Sequence, residues 1–172
     1  MEKAKVYFTK EITPESLIKI YNVLGTELKG KVGVKISTGE PGGHNYLHPE
    51  LIGDLVHKLN GTIIECCTAY GGQRQDPKLH WKAIEDHGFK AMAPCDIMDE
   101  FGEMDIPVEN GFHLDKDIVG EHFADYDSVL FQRTRNGRIR RRTEEYQYRY
   151  CLHSWKDQYP YRGSDYRSRG IV

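Results

Sequence analysis

The sequence predicts an α/β protein: a mostly parallel sheet with helices on both faces, followed by a poorly ordered basic tail. Three observations predict it. Short apolar runs rich in β-branched residues alternate with segments whose apolar residues recur at helical spacing. The connections between them are short, which favours parallel strands joined by helical crossovers. One run, Lys31-Val32-Gly33-Val34-Lys35-Ile36, leads straight into a glycine-rich polar loop, Ser37 to Asn45, and then into a helix start.

Taken in order, Lys5-Val6-Tyr7-Phe8 reads as a first strand. Thr13 is a helix cap with Pro14 at the first helical position, and Leu17, Ile20, Tyr21, Leu24 and Leu28 fall on one face, with Gly30 marking the end. Val32 to Ile36 is a buried strand. Pro49 starts a second helix whose stripe is Leu51, Ile52, Leu55, Val56 and Leu59, and Asn60-Gly61 closes it. Thr62 to Cys67 is the next strand, ending in a second glycine-bearing loop, Thr68-Ala69-Tyr70-Gly71-Gly72. A third helix spans about Pro77 to His87, and Lys90 to Ala93 reads as a strand leading to Pro94-Cys95-Asp96-Ile97. Beyond it, Asp105 to Val108 reads as a strand, Lys116 to Ala124 as a short helix and Ser128 to Phe131 as one more strand.

Ligands of open α/β sheets bind beyond the carboxyl ends of the strands. That rule puts the two glycine loops on one edge if their strands are neighbours. The candidate ligand-binding residues are Lys35, Thr38, Gly39, Glu40, Gly42, Gly43, His44, Asn45, Thr68 and Tyr70. The glycines would let backbone amides approach a ligand, and a following helix start favours anions, so a small anionic ligand or a nucleotide is one expectation. The simpler alternative is that these glycines only make tight turns. Neither a Gly-Lys-Ser/Thr loop nor Gly-x-Gly-x-x-Gly is present. His44 and His48 are four apart, but Pro49 starts the helix after both, so no metal site is assigned. Glu40 and Lys35 are the candidates for acid, base or anion partner, and no catalytic residue follows from the sequence.

At 172 residues the chain fits one domain with its own core, and no internal repeat is visible. No apolar run approaches the roughly 18 residues a membrane helix needs, and Met1 to Lys5 leads towards an apolar strand rather than a signal-peptide core, so a cytoplasmic protein is expected. The four cysteines, Cys66, Cys67, Cys95 and Cys151, contain no Cys-x-x-Cys pair; zinc-ribbon and ferredoxin-type motifs are absent. Cys66 and Cys67 read as reduced strand residues. The net charge of -2 hides an asymmetry: Phe131 to Val172 carries 11 Lys+Arg against 4 Asp+Glu, leaving 13 against 22 before it. The division expected is an α/β domain over 1–130 and a basic tail over 131–172.

Lys35-Ile36-Ser37-Thr38-Gly39-Glu40-Pro41-Gly42 followed by His48-Pro49, with Val6-Tyr7-Phe8 upstream and Asp86-His87-Gly88-Phe89 downstream, resembles domain-of-unknown-function family 362. Its members are often labelled uncharacterised iron-sulfur center proteins. The resemblance covers about residues 4 to 130, and the Gly-Glu-Pro-Gly loop is its most specific part. It implies that the chain is the amino-terminal part of such a protein, with a redox-related or metal-binding role in the intact protein. Family members that carry an iron-sulfur cluster hold it through a ferredoxin-like cysteine segment, whose ligands are not present in this chain.

Beyond Leu130 the resemblance implies a Lys-Gly-His segment and a glycine-rich run, where this chain has an Arg/Tyr-rich tail. Back-translation of Phe131 to Val172 with suitable synonymous codons, read one nucleotide later, gives a coherent glycine-rich string opening Ser-Lys-Gly-His. A single-nucleotide shift near Phe131 is therefore expected to have put the tail out of frame. The rival expectation takes the tail at face value: Arg138 to Arg142 with Tyr146, Tyr148 and Tyr150 combines basic charge with aromatics, as nucleic-acid-binding segments do.

Overall fold

A computed structural model describes residues 6–68, 71–110, 112–113, 115–132 and 152–154. The expected tail, apart from one short strand, lies outside them. Helix α1 (Pro14–Leu24) starts as expected: the Thr13 hydroxyl accepts from the Ser16 amide at 3.2 Å, and the Ser16 hydroxyl accepts from the Thr13 amide at 3.0 Å. It stops one turn early, because Gly25 turns left-handed at φ 65. Leu28 lies past the helix, yet packs with Leu17, Ile18 and Tyr21 around buried Leu55 and Leu130.

The sheet is built from β1 (Val32–Lys35), β2 (Thr62–Glu65), β3 (Cys95–Ile97), β6 (Ser128–Phe131) and β7 (Leu152–Ser154), in the order β3-β2-β1-β6-β7. The first four are parallel, and β7 runs antiparallel to β6. The strand order therefore reverses between β1 and β6. Helices α2 (Pro49–Lys58) and α3 (Pro77–Asp86) make the crossovers β1 to β2 and β2 to β3, both stepping the same way across the sheet.

Crossovers of one hand that step in one direction lie on one face. Accordingly Val34, Ile36, Ile63 and Ile97 are buried against Ile52 and Val56 of α2, Ile84 of α3 and Phe89. The alternate positions form a second cluster, Ile64, Met98, Tyr126 and Val129, with Cys66 and Phe131 beside it. Helical cover is thus uneven. Among the described residues the second face carries no α-helix; it is partly covered by the 3₁₀ segment Glu121–Asp125 and by a separate antiparallel ribbon of β4 (Glu103–Pro107) and β5 (Lys116–Gly120).

Three elements differ from expectation. Val6 to Phe8 is not a strand: it pairs with nothing among the described residues, and Val6 and Phe8 are 89% and 83% exposed. Lys90 to Ala93 is not a strand either. Gly88, at φ 83, opens a fresh helical turn, α4 (Phe89–Met92), and these residues are good helix formers, so the strand begins only at Cys95. Lys116 to Gly120 is a strand rather than the start of a helix, because Ile118 and Val119 pair with Asp105 and Met104 across the ribbon; only Glu121–Asp125 is helical, and 3₁₀.

Candidate functional site

At the carboxyl end of β2, Glu65 is 3% exposed, a carboxylate buried at the end of an apolar strand. Its Oε2 accepts from Lys35 Nζ at 2.7 Å; its Oε1 accepts from the Thr38 amide at 2.7 Å, the Thr38 hydroxyl at 3.1 Å and Arg74 Nη1 at 3.2 Å. Burial raises its pKa, but the Lys35 ammonium, the Thr38 amide and the Arg74 guanidinium outweigh that and hold it below the usual carboxylate value. Arg74, on the 3₁₀ turn Gln73–Gln75, is itself buried and reaches Glu40 Oε1 through Nε at 3.0 Å and Nη2 at 2.6 Å. The Thr68 amide donates to the Arg74 carbonyl at 3.1 Å. The two glycine loops therefore meet on one rim, joined by two cations and two carboxylates that largely neutralise one another.

Two histidines back this rim. His80 of α3 is fully buried, with Nε2 3.4 Å from the Thr38 hydroxyl and 4.0 Å from Glu65 Oε1. Burial lowers its pKa, so the ring is neutral. His87 Nδ1 donates to the Thr38 carbonyl at 2.6 Å, and its ring stacks on Tyr46 at 4.3 Å. Tyr46 in turn covers Gly39, where φ is 87 and an added Cβ would stand 2.5 Å from the ring. The Gly43 amide closes a turn onto the Glu40 carbonyl at 2.8 Å, and Gly42 takes φ 72 with open space around it.

Of the sequence-derived candidates, Lys35, Thr38, Glu40 and Thr68 are brought together, Gly39, Gly42 and Gly43 shape the turn that delivers them, His44 and Asn45 are exposed, and Tyr70 lies outside the described residues. Sequence reasoning missed Glu65, Arg74, His80 and His87. A charged residue inside Ile63-Ile64-Glu65-Cys66 was the available signal, since a lone carboxylate in such a run must find cations once buried.

Beside this rim, on the face without α-helices, lies a pocket of about 480 Å³. Ile64, Cys66, Met98, Val129 and Phe131 form its sheet side, and Ile118, Val119 and Phe123 close it from the ribbon and the 3₁₀ segment. Lys35, Thr68, Asp99, Glu103 and Tyr126 are its charged or hydroxyl-bearing lining groups. Asp99 is fixed by the Cys67 amide, which donates to its two oxygens at 2.8 and 3.1 Å.

The family Domain of unknown function (DUF362) matches residues 32–131, which span β1 to β6 and both glycine loops. The chain belongs to the DUF362 family. No curated protein and no solved structure matches the chain. The DUF362 match thus covers the rim, the pocket and the ribbon, and leaves α1 and the tail outside it. Among the described residues of this DUF362 domain, no helix is long and apolar enough to cross a membrane.

The cysteines of the DUF362 domain do not fit an iron-sulfur cluster. Cys66 packs beside the cluster around Ile64, whereas Cys67 packs beside the cluster around Val34. The Cys95 thiol donates to the Ala93 carbonyl at 3.4 Å. Burial pushes the Cys66 thiol up to about 12 and the Cys67 and Cys95 thiols to about 11. A cluster needs several cysteines converging on one site. No group of three His, Cys, Asp or Glu side chains placed to hold a metal ion occurs among the described residues.

Proposed function

We propose that this DUF362 domain binds a small organic molecule with an apolar body, in the pocket beside the point where the strand order reverses. The observation that carries the reading is that about 480 Å³ of largely apolar space sits next to the Lys35–Thr68 rim, on the sheet face across β2, β1 and β6. Points where the strand order reverses are where open α/β sheets take ligands, and the volume is that of ordinary small-molecule sites. The glycine loops then act as scaffold: they lock the rim through Thr38, Glu65 and Arg74 rather than wrapping the ligand. A nucleotide or other anion held by the loop amides is the second reading, favoured by the loop's position ahead of the α2 amino terminus.

The iron-sulfur or redox role of the intact protein rests on the family resemblance. Iron and sulfide at stoichiometric levels in the purified chain would restore it. The pocket reading is tested with neutral 2-naphthalenemethanol, followed by fluorescence and calorimetry, on the whole chain and on Val119→Trp. Val119 sits on the ribbon, so the indole fills the pocket without entering the sheet core. Saturable binding lost in Val119→Trp supports the proposal; no binding, or binding indifferent to the substitution, removes it.

A further inference from the structure

The charge of the pocket lining does not match an anionic ligand. Among the described residues Lys35 is the one cation on the lining, and its ammonium is engaged at 2.7 Å by Glu65 Oε2 and at 2.9 Å by the Ile36 carbonyl. Its charge is therefore largely spent on Glu65, which lies outside the lining. Asp99 and Glu103 also line the pocket, and neither forms a salt bridge with a cation among the described residues. Asp99 cannot swing away, because both its oxygens take the Cys67 amide.

We infer that the pocket takes an organic cation: a protonated amine or quaternary ammonium on an apolar or aromatic body. The inference rests on the pocket reading above and deepens it. Asp99, beside Ile64, Met98 and Val129, and the exposed Glu103 at the ribbon edge of the pocket, neither with a salt-bridge partner among the described residues, supply the attraction, while the lining gives the body of the ligand its apolar surface. Anions are repelled by the same pair. Cys67, also on the lining, has a thiol pushed up to about 11, first by burial and then by the Asp99 carboxylate beside it.

The test uses three probes that share one ring system: 2-naphthylmethylammonium, neutral 2-naphthalenemethanol and 2-naphthoate. They are titrated into the full chain at low and at moderate salt. The expected order is cation, then neutral, then anion, with the cation at least ~10-fold tighter than the anion and the gap narrowing as salt rises. Glu103→Gln, on the exposed ribbon, and Asp99→Asn, which keeps an acceptor for the Cys67 amide, each shrink the gap, and the double variant abolishes it. Equal affinities, or the anion binding best, overturn the inference while leaving the pocket reading standing. Failure of all three probes to bind overturns both.

Discussion

Glu65 and Lys35 join the carboxyl ends of two neighbouring parallel strands through an ion pair of 2.7 Å, with the carboxylate 4% and the ammonium-bearing side chain 18% exposed. Removing one member of a buried pair strands the other, at about 3–5 kcal/mol. Glu65→Ala is therefore expected to lower the urea-unfolding free energy by that amount. Lys82→Ala, which breaks the exposed pair with Asp86, is expected to leave the midpoint almost unmoved. Similar midpoints for the two variants would show that the rim network contributes nothing.

Acid and alkaline sensitivity have different sources. The Glu65 carboxyl is held below its ordinary 4.5, so its contribution is present above that value and lost as pH falls through the folded value. His80 is held below 6.5 by burial; its contribution is complete above 6.5 and declines as pH falls from there towards the folded value. His122 behaves the other way. Its Nδ1 donates to Asp96 at 2.8 Å, which raises its pKa, so its contribution is complete below 6.5 and is lost as pH rises through the folded value. Urea midpoints measured from pH 4 to 9 should show His80→Gln flattening the acid limb and His122→Gln the alkaline one.

The thiols should be sluggish. With pKa values moved from 9.0 up to about 12 and 11, Cys66 and Cys67 hold about 10²–10³-fold less thiolate at neutral pH than free cysteine. Iodoacetamide labelling at pH 7.5, read cysteine by cysteine by mass spectrometry, should show Cys66, Cys67 and Cys95 reacting slowly in the folded chain and fast in urea. Fast folded-state labelling of Cys66 would contradict its burial.

Glycine substitutions separate strain from crowding. Gly42→Ala meets only the left-handed backbone, at about 1–2 kcal/mol. Gly39→Ala adds a collision with Tyr46 and is expected to cost more and to loosen the His87 stack, visible in Tyr46 fluorescence and in the unfolding midpoint.

The tail yields a prediction at the level of the gene. If a one-nucleotide shift near Phe131 produced it, sequencing across that codon finds the glycine-rich string opening Ser-Lys-Gly-His in the next frame. Codons that encode no such string end that proposal, and salt-dependent nucleic-acid binding by residues 131–172 then becomes the reading to test.

What was legible in the sequence was local. Thr13-Pro14 and Pro49 announced two helix starts, β-branched runs announced β1 and β2, and Gly39-Glu40-Pro41-Gly42 announced the loop. The pairings that make the site are not local. Glu65 finds Lys35 thirty residues back and Arg74 nine residues on, and nothing in the run around Glu65 names either partner. One strand of the ribbon was legible, as Asp105 to Val108, and the other escaped for the same reason: Lys116 to Gly120 is extended because Glu103 to Pro107 lies beside it. The residues of α4 carried the opposite ambiguity, a short apolar run that fits helix and strand alike.

The ribbon's two strands have each other, not the sheet, as their main neighbours. It leaves and rejoins the body near Gly102 and Gly120, the latter pressed so close to the Met98 backbone that a Cβ would sit 2.6 Å away. Glu103, Ile118 and Val119, which line the pocket, belong to this ribbon, and their strands pair with each other rather than with the sheet. With a ligand held there as proposed, exchanging this one hairpin alters part of its surroundings while every strand pairing of the five-stranded sheet stays intact.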